Sequence, residues 1–380
     1  MRIFTNRWVH LILLFGLLLA ALWYGGTHTP FRNDLRYLAF DNLNKAYPRE
    51  IPDDNKVLIV DIDDRSLEAL GQWPWPRTVY VNMVKNLTEM GAKVIAFDGV
   101  LAEPDGSSPA RVAKTIENMD GTEDLRAVLE TLPDHDDMFA EAIKESGIFV
   151  TGFTFSTYSL SPKRPRVTKP ILAKRDVKQD FIKYAPRFER AATFLPELEK
   201  AAAGNGSFMA SPDRDGVLRT TGMLFSDGKQ LYPSLSLEAL RVALMGRKDM
   251  IRIGKTPLEE RQYIDTNYRI VMGERIIPVE ADAKLWVYYR DFQPDKDYIP
   301  AVKTVDPQYF DEIKARVDGR VILIGASAEG LKDLRNTPIE AFIPGVEIHA
   351  NVTEQVLQDK YLLRPQIAEF LEQGFILAVG

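Results

Sequence analysis

The chain contains no cysteine, which excludes disulfides, thiolate nucleophiles and thiolate metal sites. Histidine is nearly as scarce, at 4 residues in 380. His349 has no second histidine near it in sequence, which argues against zinc. An excess of positive charge is also missing: the net charge is −6, a balance that argues against a nucleic-acid partner. No serine lies in a G-x-S-x-G context, and the glycine loop at 325–330 lacks a G-K-[S/T] ending. Gly325-Ala326-Ser327-Ala328-Glu329-Gly330 follows an apolar run, but its glycines do not fit the dinucleotide spacing. Internal repeats are absent.

Long apolar runs are few. Val9 to Tyr24 is one, interrupted only by His10. About 30 Å of hydrocarbon needs roughly 20 helical residues, and Asn6 to Gly26 reaches that. Arg2 and Arg7 precede the run and Trp23-Tyr24 closes it, so the expected orientation puts the N-terminus in the cytoplasm. A cleaved signal peptide is the alternative, but no small-x-small site stands before Phe31. Gly374 to Gly380 reads as the first turns of a second span.

Between these ends the pattern is α/β. Val57–Ile62, Lys93–Phe97 and Val321–Ile324 are unbroken β-branched or apolar runs, which suit parallel strands covered on both faces. Arg77–Met90 has Val81, Val84, Leu87 and Met90 at helical spacing, giving a βαβ unit with its flanking strands. A helix over Pro30–Tyr47, a helix over Asp136–Glu145 and a strand over Gly147–Phe155 are expected next. Gly106–Thr131 reads as a polar loop, and the basic stretch Ser161–Lys178 as a solvated loop. Further on come strands over 217–225 and 284–289, a helix over Pro233–Met245, a hairpin around Gly273 and a helix over Val346–Gln358. The expected fold is a parallel-rich central sheet flanked by helices. A long, partly β insertion at about 155–315 interrupts it, and a transmembrane helix precedes it.

The polar residues after the strands are the site candidates. Asp61 and Asp63 share a face at a strand end, and Asp98 ends the neighbouring strand. Carboxylates clustered at the carboxyl rim of a parallel sheet suit a cationic ligand, Mg²⁺ or Ca²⁺; the alternative is helix capping or pairing with Arg77. In Trp73-Pro74-Trp75-Pro76-Arg77 two prolines stiffen a loop. Its indoles make either a ligand wall or dimer contact, or a lid packed over the sheet. Asp61, Asp63, Arg77, Asp98 and Asp333 are expected around one polar site, with Trp75, Glu103, Thr337 and His349 beside it. No catalytic residue, metal or cofactor is expected.

Together the segments Ile59–Asp64, Leu70–Arg77, Gly91–Asp98, Glu103–Asp105, Asp213–Arg219, Tyr232–Leu235, Gly319–Asp333, Thr337–Pro338 and Pro344–Ala350 resemble the CHASE domain of the second type. Gly99-Val100-Leu101 departs from it, where that family carries a further aromatic residue. The resemblance implies an extracytoplasmic sensory domain of a bacterial membrane signal transducer. It also implies an adenylate or guanylate cyclase output, with a histidine kinase or diguanylate cyclase as alternatives. A periplasmic carboxylate-dependent hydrolase and a structural dimerisation module are the readings of other classes. The corresponding map is a cytoplasmic N-terminus at 1–8, a span at 9–26, a sensor at 27–367 and the start of a second span at 368–380. The expected partners are the inner membrane, an unknown ligand and a second copy, with no nucleic acid.

Overall fold

The chain is described by a computed structural model at residues 16, 30–156, 164–246, 250–261, 266–331, 333–363 and 367–368. Among these residues no helix is long and apolar enough to cross a membrane. The spans expected at 9–26 and 368–380 fall, Gly16 and Ala368 apart, outside the described residues.

The central sheet has seven strands: β1 (Val57–Ile62), β2 (Val94–Phe97), β3 (Phe149–Phe155), β4 (Ala191–Thr193), β5 (Gly204–Ser207), β6 (Tyr298–Pro300) and β7 (Val321–Ala326). Their order is β6-β1-β7-β2-β3, and β3 pairs with both β4 and β5. Only the β3–β4 pair is antiparallel. The runs at Val57, Lys93 and Val321 therefore share one sheet, as their composition predicts. Every residue of β1 and β2 is buried.

Alternation along the strands divides the core in two. Leu58, Val60, Ile62, Ile95, Phe97, Ile322 and Ile324 face one side. There they meet α2 (Arg77–Glu89) and α3 (His135–Ser146), after α1 (Pro30–Ala46) in the chain. Val57, Ile59, Val94, Ala96, Val321 and Leu323 face the other side, against α4 (Leu235–Met245) and α5 (Val346–Leu357). The caps are local: Asp134 accepts from the Asp136 amide, Ser234 accepts from the Leu237 amide, and Gly147 ends α3 in the left-handed conformation. A second core lies beyond α5. There Ile348, Val352 and Val356 pack against the antiparallel sheet of Arg252–Lys255, Tyr268–Met272 and Arg275–Val279.

Two expectations need correction. The stretch 155–315 is not wholly an insertion, because it returns to the central sheet three times, as β4, β5 and β6. β5 reads Gly-Asn-Gly-Ser, with no strand-forming side chain, because α4 lies directly on it. A Cβ at Gly206 would sit 2.7 Å from the Leu235 backbone. The region 106–131 is not one loop: it holds helices Pro109–Thr115 and Glu123–Leu129. The second buries no residue, so its sequence carries no core-facing stripe.

Gly152 provides a test of the packing. A Cβ there would lie 2.4 Å from the Phe97 carbonyl oxygen and 2.8 Å from that of Gly99, whereas Gly254 has open space. Gly152→Ala should cost about 1–3 kcal/mol in urea denaturation, and Gly254→Ala almost nothing. Equal costs would mean that β3 does not pack this closely on the 97–99 segment.

Candidate functional site

At the carboxyl rim, Asp61 pairs with Gly325, and Phe97 pairs with Ile324. The Asp98 amide continues the ladder by donating to the Ile324 carbonyl. Asp61, Gly325 and Asp98 thus form a row across three strands, all on the α5 face. Gly325 is required there because a Cβ would meet Val346 of α5 at 2.4 Å. Asp61 accepts from the Ser327 amide (2.9 Å) and hydroxyl (2.6 Å). Burial pushes its carboxyl up to about 6, against the Ser327 hydrogen bonds and with help from Asp63. Burial and the neighbouring Asp333 raise Asp98 well above the usual range, while Arg335 acts the other way. Asp333 pairs with Arg335 at 2.7 Å. The rim therefore presents carboxyl groups that hold their protons more tightly than free ones. No group of His, Asp or Glu able to hold a metal ion occurs among the described residues.

The other candidates do not all join this row. Asp63 caps the helix Asp64–Leu70, accepting from the Ser66 amide and hydroxyl. Arg77 starts α2 on the opposite face of the sheet, which is why it pairs with none of Asp61, Asp63, Asp98 or Asp333. Its Nε donates to Asp136 at 3.0 Å, its Nη2 to the Glu103 carbonyl at 2.6 Å and its backbone amide to Asp105 at 2.7 Å. The expected pairing of Arg77 with a strand-end carboxylate is thus replaced by a knot with Asp105 and Asp136. The Glu103 side chain itself is exposed. Trp75 is 1% exposed and donates to the Gly71 carbonyl, while Trp73 stacks on Phe97. The loop is a lid on the sheet, with Trp75 inside the core. Thr337 closes the turn to Glu340. His349 bonds Ser236 and faces the Phe208 carbonyl, and burial lowers it to about 4.

A second constellation lies at the amino end of the sheet, where no candidate was expected. α5 is buried along nearly its whole length, yet Glu347, Asn351 and Glu354 recur on it at i, i+4, i+7. That polar stripe on an enclosed helix is the signal that the sequence did carry. Arg290 bridges Glu347 (2.9 Å), Glu354 (2.8 Å) and Asp297 (3.1 Å). Arg49 reaches Glu354 at 2.5 Å, and Asn55 donates to Glu354 at 3.0 Å. Tyr298 donates to Glu347 at 2.8 Å. Burial raises Glu347 to about 7 despite Arg290. Burial would also raise Glu354, but Arg290 and Arg49 bring it below the usual range.

A family model described as the CHASE2 domain matches residues 13–380. The chain belongs to the CHASE2 family. CHASE2 domains are extracellular sensory domains of signalling proteins. No curated protein and no solved structure matches the chain. In this CHASE2 domain a cavity of about 560 Å³ opens beside the amino-end constellation, lined by residues of 48–55, 291–297 and 316–320.

Two outcomes follow for the described sites. Arg77 is 4% exposed and Asp136 is 5% exposed, so Arg77→Ala strands a buried carboxylate. It should cost about 3–5 kcal/mol in chemical denaturation, against little for Arg65→Ala at an exposed position. Equal, small losses would make Arg77 a solvated charge. Asp61 gives a pH signature. Its folded value is raised from 3.8 to about 6, so its proton stabilises the fold; that contribution is full below about 3.8 and is lost as pH rises through about 6. Between about pH 4 and pH 7 the native chain should therefore lose about 1–3 kcal/mol relative to Asp61→Asn. Parallel stability profiles would refute the raised value.

Proposed function

We propose that this domain is the stimulus-receiving part of a bacterial transducer held in the inner membrane, with the domain on the periplasmic side. An adenylate or guanylate cyclase is the first reading for its output. A histidine kinase or diguanylate cyclase is the alternative. The observation that carries the reading is the buried Arg49–Glu354 pair. Arg49 lies three residues past α1, the helix that leads back toward the apolar run at 9–24, and Glu354 lies on the last described long helix. One ion pair thus fastens the entering and leaving segments of the chain to each other and, through Arg290 and Asp297, to the start of β6. A change at that point alters the relative placement of the two segments, which is what a signal to the membrane requires. The outer side of α1 exposes Leu38 and Leu43 at 60% each, which supports pairing with a second copy as part of the same reading.

The intact transducer tests this. Glu354→Gln should change basal cyclic-nucleotide production about fivefold or more, with the protein still folded by circular dichroism. Lys314→Gln, an exposed change on the helix Phe310–Val317, should leave it alone. Unchanged output in a folded Glu354→Gln protein would sink the coupling role. A reporter fused after residue 200 should be active only if it works in the periplasm; cytoplasmic activity would overturn the topology.

A further inference from the structure

We propose that the cavity at the amino ends of β1, β6 and β7 is a receptor site for a small oxyanion, a carboxylate or phosphate, bound by Arg316 and Arg320. The proposal rests on the sensory reading and adds to it the site and the class of ligand. The cavity, about 560 Å³, has the size of a small-molecule site. It is walled by three separate chain segments and does not lie at the carboxyl rim where open α/β sheets usually bind.

Its charges are unequally committed. Asp297 is already engaged by Arg290 at 3.1 Å and by Asn55 at 3.4 Å, and Arg49 by Glu354. Asp53, Asp291 and Glu50 are exposed to water. Arg316 and Arg320 are half-buried, and neither forms an ion pair among the described residues. Arg316 donates only to the carbonyls of Lys296 (2.6 Å) and Tyr298 (3.1 Å). Burial and the neighbouring Arg320 lower its affinity for its proton, against the opposing pull of Asp297 and Glu312. Two neighbouring guanidinium groups, partly out of water and with no carboxylate in ion-pair contact, are the arrangement that an oxyanion relieves; Asp297 and Glu312 act on Arg316 only from farther off. Arginine's planar fork suits both carboxylate and phosphate.

The site also touches the coupling element. The strap 48–55 is one wall of the cavity and carries Arg49. An anion drawn onto Arg316 and Arg320 competes with Asp297 for their field, and Asp297 shares Arg290 with Glu347 and Glu354. Occupancy is thereby transmitted to α5 without any contact between ligand and helix.

Isothermal titration calorimetry on the full chain in detergent tests the site, with inorganic phosphate and succinate as separate probes. One of them should bind saturably at one site per chain. Arg320→Ala should weaken it about tenfold or more, and Arg320→Glu should abolish it. Arg111→Ala, on the distant helix Pro109–Thr115, should change nothing. Arg320 makes no side-chain hydrogen bond among the described residues, and the bound probe should raise the melting temperature of the native chain but not of folded Arg320→Glu. Binding of succinate alone supports a carboxylate ligand, and binding of phosphate alone a phosphate ligand. No binding of either probe at millimolar concentration, or binding that survives Arg320→Glu, overturns the proposal. Because binding is read on the chain itself, that failure would leave the Arg49–Glu354 coupling standing, and the reverse also holds.

Discussion

The structure depends on how α5 is accommodated. A helix enclosed by the central sheet on one side and the satellite sheet on the other has nowhere to place a charge. This helix nonetheless carries Glu347 and Glu354, both nearly inaccessible. Two carboxylates buried there without partners would cost several kcal/mol each, a large fraction of a domain's stability. Arg290 and Arg49 offset that cost, and each comes from a segment that must then stay in place. Arg290 fixes the loop before β6, and Arg49 fixes the strap before β1. The apolar residues of α5 join the two cores, and its polar residues determine where the surrounding chain can run.

Much of this architecture was legible in the sequence. Unbroken β-branched runs announced β1, β2 and β7, and the hairpin around Gly273 followed from its turn residue. The pairing of strands far apart in the chain came from the same logic, since each run needed neighbours on both sides. Legibility failed where packing overrides propensity. β5 has glycines because a helix lies on it, and glycine reads as a break. β6 is three residues long and ends in proline. Helix Glu123–Leu129 has no buried face to give it a period.

The site was legible in position but not in partition. Of the acidic residues that follow strands, Asp61 and Asp98 share a row at the rim. What a linear reading missed is that Arg77, although close to that rim in sequence, starts a helix on the other face. Strand alternation could have shown this, because Asp61 and Asp98 have the parity of Val57 and Val94, whereas α2 covers Leu58 and Ile95. The amino-end network was harder to see. Its members are scattered from Arg49 to Glu354, and only the stripe Glu347, Asn351, Glu354 marks it locally. The result is a domain with polar chemistry at both ends of one sheet, protonation-prone at the carboxyl rim and ion-paired at the amino end.

The pairing of β1 with β7 also bears on how the chain reaches its fold. The two strands lie side by side, and the bond from Ser327 to Asp61 spans 266 residues of sequence. The middle of the sheet is thus completed by a strand far downstream of its two neighbours, and both cores are closed by the helix after it. Until β7 emerges, β1 and β2 have no partner between them, and until α5 follows, the satellite sheet packs only on earlier elements such as the helix Arg175–Tyr184. Contacts of such high order fold slowly, and their unpaired strands are open to wrong partners meanwhile. The closing of the central sheet thus waits on residues 321–326, and the earlier strands must be kept from pairing elsewhere until those residues arrive.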